Sequence, residues 1–501
     1  MSKQVLIVGA GPTGMVLALW LAQSGIPFRI VEKNAGPGQA SRAMAVQART
    51  LEFYRQLGIA EEVIASGIRM RGGHLRQGSR VVADFPFDKI GSDLSPYPFV
   101  LSLPQDDHEH LLVKCLERIG VQVEWSTELI LFKEKEQCVI ATLRKGETEE
   151  SGEFAYVCGC DGARSTIRQG LGLSFPGGTY EQLFYVTDVE VEGLPFSQDV
   201  NACISTDSFC LVFPIRSSGM FRLVGIVPPQ LGADATFEEI RPYVKKQIDV
   251  DVRKVNWFST YHVHHRVADH FRRGRIFIAG DAGHIHSPAG GQGMNTGIGD
   301  AVNLAWKLAT TLRNRSNAAV LDTYEPERIA FARALVATTD RLFLLAVGRD
   351  LLARTARSVF LKYILPLALS FKAARRLQFR LVSQIRIQYR DSSALSRGTA
   401  GEIQGGDRLP WVESQNNFQP LNSLDWQIHV YGIATDALQD WAPRWNLPVH
   451  SFAWDKPAQS AGLARNAAYL IRPDGHVAFA SPDQNVGELE KFLGEWVRPL
   501  A

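Results

Sequence analysis

Three glycines spaced Gly9-x-Gly11-x-x-Gly14, a carboxylate at Glu32 and a second glycine–carboxylate pair at Gly280-Asp281 are the groups in this chain best suited to shared chemistry. The first set follows the apolar run Val5-Leu6-Ile7-Val8 and leads through Pro12 and Thr13 into a helix-like stretch. That order is the strand–glycine loop–helix unit that binds a dinucleotide. The glycines allow a tight turn and a close approach of backbone to a pyrophosphate, and the helix N-terminus favours the negative charge. Glu32 ends the next apolar run, Phe28-Arg29-Ile30-Val31, where an acid can bind a ribose hydroxyl. Gly280-Asp281 ends the apolar run Ile276-Phe277-Ile278-Ala279, and a carboxylate there can hold the sugar-like chain of a flavin. One motif alone reads as nucleotide; the pair reads as FAD.

Further groups join this set on chemical grounds. Lys33 and Arg42 follow Glu32, and a guanidinium at Arg42 can clamp phosphate bidentately. Asp161-Gly162 follows an apolar strand and precedes Ser165 and Arg168, the pattern of a turn and of a second cofactor-facing loop. Ser287-Pro288-Ala289-Gly290-Gly291-Gln292-Gly293-Met294-Asn295 precedes the helical stretch Gly299 to Leu312. Exposed amides and a helix start at that loop can stabilise negative charge on a reduced flavin ring. His262, His264, His265, His284 and His286 have no neighbouring carboxylate or cysteine to complete a ligand set, so a metal site is not expected.

These groups require elements to carry them. Residues 1–175 read as alternating strands and helices, hence α/β, with helices over 12–24, 45–57 and 106–119. Strands are expected at 4–8, 28–32, 121–131, 137–143 and 153–159. From 176 to 265 the chain is strand-rich with one helix near 237–249, a mixed sheet inserted into the nucleotide domain. The first domain resumes over 266–400, with long helical patterns across 318–390. Gly398 to Pro410 reads as a linker, and the tail over 411–501 as β-α-β-β-β-α.

Composition narrows the function classes. The chain has 501 residues, 45% hydrophobic, with 54 basic against 52 acidic side chains. A net charge of +2 without long basic runs argues against nucleic acid and acidic membrane surfaces as partners. The apolar stretch Leu342 to Phe371 is interrupted by Arg349, Asp350, Arg354, Arg357 and Lys362, so stable membrane insertion is not expected. No secretory signal precedes the first strand, and the six cysteines read as buried reduced thiols; a cytoplasmic location is expected.

With these motifs in order, the chain resembles the class A FAD-dependent aromatic hydroxylases, the group of para-hydroxybenzoate and phenol hydroxylases, nearest the branch acting on aromatic polyketides. The stretch from Gly274-Arg275-Ile276 to Trp306-Lys307-Leu308 carries the most specific likeness. The resemblance implies an FAD-binding Rossmann-like domain, an inserted substrate sheet and a thioredoxin-like C-terminal domain. The last contains no cysteine, which excludes disulfide exchange, and leaves a scaffold or homodimer contact. It implies that Gly9, Gly11, Pro12, Thr13, Gly14, Glu32, Lys33 and Arg42 bind the ADP half of FAD. Gln105 would lie near the ribityl and phosphate groups and Leu129 would meet the adenine through its backbone. Gly280 and Asp281 would hold the ribityl chain, and Pro288, Gly291, Gly293, Met294 and Asn295 would line the isoalloxazine ring. Asp161 and Arg168 would handle flavin and nicotinamide nucleotide.

The implied reaction uses NADPH or NADH to reduce FAD, then O2 to form a C4a-hydroperoxide that hydroxylates a phenolic or polycyclic aromatic substrate. Such an oxygen prefers a phenolate, so a group helping to remove a phenol proton is expected. Tyr185, Arg216, His262 and His264 on the inserted sheet are the candidates, with no choice among them. The alternatives are an FAD-dependent oxidase or dehydrogenase without oxygen insertion, and a flavin-binding scaffold without turnover.

Overall fold

A computed structural model describes residues 4–38, 43–70, 72–77, 80–86, 91–191, 198–204, 209–216, 219–248, 250–287, 291–347 and 371–499. Arg42 and Pro288 lie outside them. The nucleotide half is built on a six-stranded sheet in the spatial order Arg272–Arg273, Ile276–Ile278, Tyr156–Gly159, Val5–Val8, Phe28–Glu32, Glu124–Trp125. Val5–Val8 pairs in parallel with both neighbours, and all four of its residues are buried. A strand covered on both faces must be continuously apolar, which is why this one does not alternate. Pro12 sits in the first turn of the helix Pro12–Gln23, where its missing N–H costs nothing, and Met15 to Leu21 are buried. This helix packs against Gly293–Leu312, which is buried along most of its length from Asn295 to Thr310.

The second unit is an eight-stranded sheet, and it is not confined to residues 176–265. Gly72–Gln77 and Arg80–Pro86, from the first segment, form one edge, and His284–Ile285 forms the other. The long strands Val252–Val267 and Gly177–Val191 pair antiparallel next to the His284–Ile285 edge. One face carries Tyr185, Cys210 and Phe221 and packs on the helix Phe237–Ile248. Strand alternation turns Phe213, Arg222 and Asp188 to the other face. There Phe213 packs with Ala45, Met70 and Val100 of the nucleotide half.

The tail differs from expectation in two places. Its order is strand Gln427–Tyr431, helix Asp436–Trp441, strand Val449–Phe452, helix Lys456–Ser460, strands Ala468–Ile471 and Val477–Ser481, then helix Val486–Trp496. The helix Lys456–Ser460 was not expected, being short and started by Asp455 accepting from the Ala458 N–H. The expected linker instead supplies strands Arg397–Ala400 and Ile403–Gln404, and Arg397 and Gly398 pair with Phe479 and Ala480. Gly405 and Gly406 are needed because a Cβ at either would lie within 2.5 Å of backbone atoms. Tail side chains including Trp426, Trp441 and Trp445 belong to the same continuous core as the nucleotide half.

The helix expected over 45–57 begins later, at Ala48, after the short strand Ala45–Val46. The helical stretch expected over 318–390 contains a 3-10 turn, Ala318–Thr323, and the helices Tyr324–Val347 and Lys372–Val382. No helix among the described residues is long and apolar enough to cross a membrane.

Candidate active site

The glycine loop is shaped by what its Cβ atoms would strike. Gly9 has φ +102°, and a Cβ there would lie 2.3 Å from the Cys160 carbonyl oxygen; one at Gly14 would lie 2.0 Å from the Gly9 oxygen. Both positions are closed by the protein itself. Gly11 faces open space, with nothing within 4 Å of its Cβ position. A cradle tight on the protein side and open on the other fits a pyrophosphate.

Thr13 joins the distant motifs. Its Oγ1 would be 2.7 Å from a Cβ on Gly280 and 2.4 Å from one on Gly297. The first helix, the Gly280–Ala282 turn and the helix Gly293–Leu312 therefore meet at one point, which the sequence spacing could only imply. Glu32 holds the loop directly: Oε2 accepts from the Ala10 N–H at 2.9 Å and Oε1 from the Asn34 N–H at 3.0 Å. Lys33 is exposed.

Gln105 accepts from the Ala43 N–H at 3.3 Å and donates to Glu109 Oε1 at 2.8 Å; Glu109 Oε2 accepts from the Gly38 N–H at 2.7 Å. Burial raises the Glu109 carboxyl pKa. Glu109 was missed in the sequence, although it lies one helical turn beyond Gln105 on the same face. Leu129 is a core side chain on the strand Thr127–Glu134, so only its backbone is available to a ligand.

Asp161 and Arg168 tie two loops together. Asp161 Oδ2 accepts from the Ile167 N–H, and its buried Oδ1 has no hydrogen-bond partner. Burial raises the Asp161 pKa. Arg168 donates to the carbonyls of Ala282 and Ala163, and its guanidinium lies 3.9 Å from the Phe175 ring centroid. The Asp-Gly turn is thereby fastened to the Gly-Asp turn, whose Asp281 is exposed beside it.

Asn295 is the anchor of the last loop. Its Oδ1 accepts from the Gln47 N–H at 2.9 Å and Thr50 Oγ1 at 2.7 Å, and its Nδ2 donates to the carbonyls of Ala45 and Gly291. Met294 Sδ lies 3.4 Å from His108 Nδ1, while Tyr54 OH is 2.9 Å from His108 Nε2. Burial lowers the His108 pKa to about 4, so the ring is neutral at pH 7 and can donate one way while accepting the other. A Cβ on Gly291, φ +62°, would meet the Ala45 Cβ at 2.8 Å. This loop therefore borders the apolar patch of Ala45, Met70, Val100 and Phe213.

The four sheet candidates do not gather there. Tyr185 is buried on the opposite face, toward the helix Phe237–Ile248. His262 and His264 are exposed, the latter 2.7 Å from Thr179 Oγ1. Arg216 reaches Asp106, Asp107 and Asp188 at the junction of the two halves. Strand phase decides these placements, and phase is set by pairing partners far away in the sequence. No metal-ligating cluster occurs among the described residues.

A glycine loop open to pyrophosphate, a carboxylate turn beside it and the Gly291–Asn295 loop beyond are the parts that an FAD-binding flavoprotein requires. The family model of the FAD binding domain matches residues 2–339, and that of the aromatic-ring hydroxylase C-terminal region matches residues 412–499. The chain belongs to the FAD-dependent aromatic-ring hydroxylases. It is 36% identical to 6-methylpretetramide 4-monooxygenase of Streptomyces rimosus, over 94% of this chain and 83% of the relative. It is 30% identical to dialkyldecalin synthase of Streptomyces rugosporus over the whole of both chains. An anhydrotetracycline hydroxylase structure from Streptomyces rimosus superposes with a TM-score of 0.81 at 27% identity, again over the whole of both chains. The protein is thus an FAD-dependent monooxygenase that uses NAD(P)H and O2 on aromatic compounds.

Proposed function

We propose that the substrate is a polycyclic phenol of the aromatic polyketide type, bound between the Gly291–Asn295 loop and the sheet face that carries Phe213. The observation carrying this reading is the apolar patch of Ala45, Met70, Val100 and Phe213, which adjoins that loop. Its continuation along the sheet, through Leu211, Val224 and Val186, is an apolar strip suited to fused rings, bordered on the same face by the Arg222–Asp188 pair. The relative acting on 6-methylpretetramide agrees with that substrate class.

FAD, when bound, supplies the activation of O2; the protein residues bind, orient and exclude water. Gly9, Gly11 and Gly14 receive the pyrophosphate. Asp281 holds the ribityl chain. Gly293, Met294 and Asn295 present the positive helix end to the ring. Asp161 and Arg168 brace the ribityl turn from behind. Leu129 offers backbone to the adenine, and Pro288 and Arg42 complete the site by resemblance. The tail has the β-α-β then β-β-α order of a thioredoxin-like domain, with the strand Gln427–Tyr431 parallel to Val449–Phe452 and antiparallel to Ala468–Ile471. Lacking cysteine, it serves as a scaffold or homodimer contact. The reduced cysteines agree with a cytoplasmic location.

A panel of polycyclic phenols under labelled dioxygen tests this reading, scored by NAD(P)H consumption and product mass. One labelled atom in product is expected. Product without label, with all reducing equivalents recovered as peroxide, would favour the oxidase or dehydrogenase reading. Absence of any substrate-dependent NAD(P)H oxidation and of any product across the panel, with FAD bound, would favour the flavin-binding scaffold without turnover.

A further inference from the structure

The helix that begins at the ring-lining loop packs in the apolar core through Ile298, Val302, Leu304 and Leu308, but at Asp300, Asn303, Trp306 and Lys307 it is held by buried charged and polar groups. Asp300 Oδ1 meets Arg328 Nε at 2.6 Å, while Oδ2 accepts from the Gly280 N–H at 2.9 Å and lies 2.7 Å from His284 Nε2. One and two turns on, Asn303 Nδ2 and Lys307 Nζ donate to Glu327 Oε2 at 2.6 and 2.9 Å. Glu327 also receives both ends of the Arg472 fork, each at 3.0 Å. Arg472 in turn pairs with Asp474 at 2.6 Å, and Asp474 Oδ2 accepts from Trp306 Nε1 at 3.2 Å. All of these side chains are buried.

Arg472 and Asp474 lie in the turn between the tail strands Ala468–Ile471 and Val477–Ser481. The same turn reaches a second support of the loop. Arg49 donates to the Asp474 carbonyl at 2.6 Å and Gln56 to the Pro473 carbonyl at 2.8 Å. Both are on the helix Ala48–Gln56, whose Thr50 holds Asn295.

Burying this many ions costs desolvation that a well-packed apolar interface would avoid, so stability does not account for them. What a bidentate fork adds is fixed angle and register. A 20-residue helix is a stiff rod of about 30 Å, and a displacement at Trp306 or Lys307 is passed to its other end.

We propose that the Arg472–Asp474 turn of the tail is a positioning element for the flavin ring. Through Glu327, Lys307 and Trp306 it sets the axial position and rotation of the helix Gly293–Leu312, and through Arg49 and Gln56 it steadies the helix that holds Asn295. The consequence is placement of Gly293, Met294 and Asn295 against the ring. This rests on the flavin site assigned above.

The test uses the full chain with two mild variants. Trp306→Phe removes the indole donor to Asp474 and keeps a smaller ring beside Arg472 and against Trp426, whose ring centroid is 5.6 Å from that of Trp306. Arg472→Lys keeps the charge and loses the fork. FAD affinity by fluorescence titration and the visible circular dichroism of bound FAD are read beside the melting temperature of the apoprotein. Trp306→Phe is expected to weaken FAD binding about fivefold and Arg472→Lys about tenfold, both with altered dichroism of the flavin band. Affinity within twofold of the parent and an unchanged band in Trp306→Phe would overturn the proposal, whether or not Arg472→Lys folds. Asp281→Ala is the control: if it leaves FAD affinity intact, the flavin site itself is misplaced, whereas its loss beside unaffected network variants removes the positioning role alone.

Discussion

Gly11 and Gly14 differ in what a methyl group would meet, and that difference separates folding from binding. Gly11 has φ −73° and ψ −179°, which any residue adopts, and its Cβ position is open. Gly11→Ala is therefore expected to fold with an unchanged apoprotein melting temperature while binding FAD at least about tenfold more weakly, because a methyl would stand where the pyrophosphate approaches. Gly14→Ala places its Cβ 2.0 Å from the Gly9 oxygen and is expected to lose soluble protein. Titration and melting of the two variants side by side check this. Asp281→Ala should weaken FAD binding by about 1–3 kcal/mol, the cost of leaving buried hydroxyls unpaired. An equal dissociation constant would remove Asp281 from the site.

Among the elements, the turn carrying Arg472 bears the largest consequence. Arg472→Ala strips a fully buried partner from both Glu327 and Asp474, and an uncompensated buried charge costs about 3–5 kcal/mol. The pair of Arg397 with Glu495 is at the surface, so Arg397→Ala should cost about 1 kcal/mol or less. Urea unfolding of the two variants gives the comparison directly. The helix Gln105–Arg118 shows how one element serves two loops. Gln105 and Glu109 hold the backbone at Ala43 and Gly38, while His108 faces Met294 of the Gly291–Asn295 loop. That helix was expected from periodicity, and Gln105 from resemblance. Glu109 could have been found from its place one turn beyond Gln105, whereas His108 could not, because Tyr54 and Met294 are brought near it only by folding.

At the scale of the molecule, buried histidines make stability fall toward acid. His108 and His476 are lowered to about 4 and His429 to about 3, each chiefly by burial, from an ordinary value of 6.5. The unfolded chain takes up these protons first, so stability is lost as pH falls from 6.5 toward 4. The loss is at most about 3 kcal/mol for His108. Glu327, lowered to about 2 against desolvation, chiefly by Arg472 and Lys307, adds a further loss as pH falls from 4.5 to 2. Burial lowers the Lys307 pKa against the opposing pull of Glu327. Thermal melts at pH 7.5, 6 and 5 should show a falling midpoint; a flat profile would place these histidines in contact with water.

What the sequence determined by itself is local in origin. A strand, a glycine turn and a helix start are contiguous, and their spacing carries the chemistry of a pyrophosphate site, so FAD and the hydroxylase class were readable from Gly9 to Gly14, Gly280-Asp281 and Gly291 to Asn295. Tertiary structure decided the rest. It turned Tyr185 toward the helix Phe237–Ile248, left His262 and His264 at the surface and engaged Arg216 with Asp106, Asp107 and Asp188. A one-residue change of strand phase reverses such faces, and phase follows from pairing across the whole sheet. It also drew Gly398 to Pro410 out of a linker and into the tail's sheet, and joined Arg472 to Glu327. Buried charges find partners by packing rather than by spacing, so no pattern along the chain announces them.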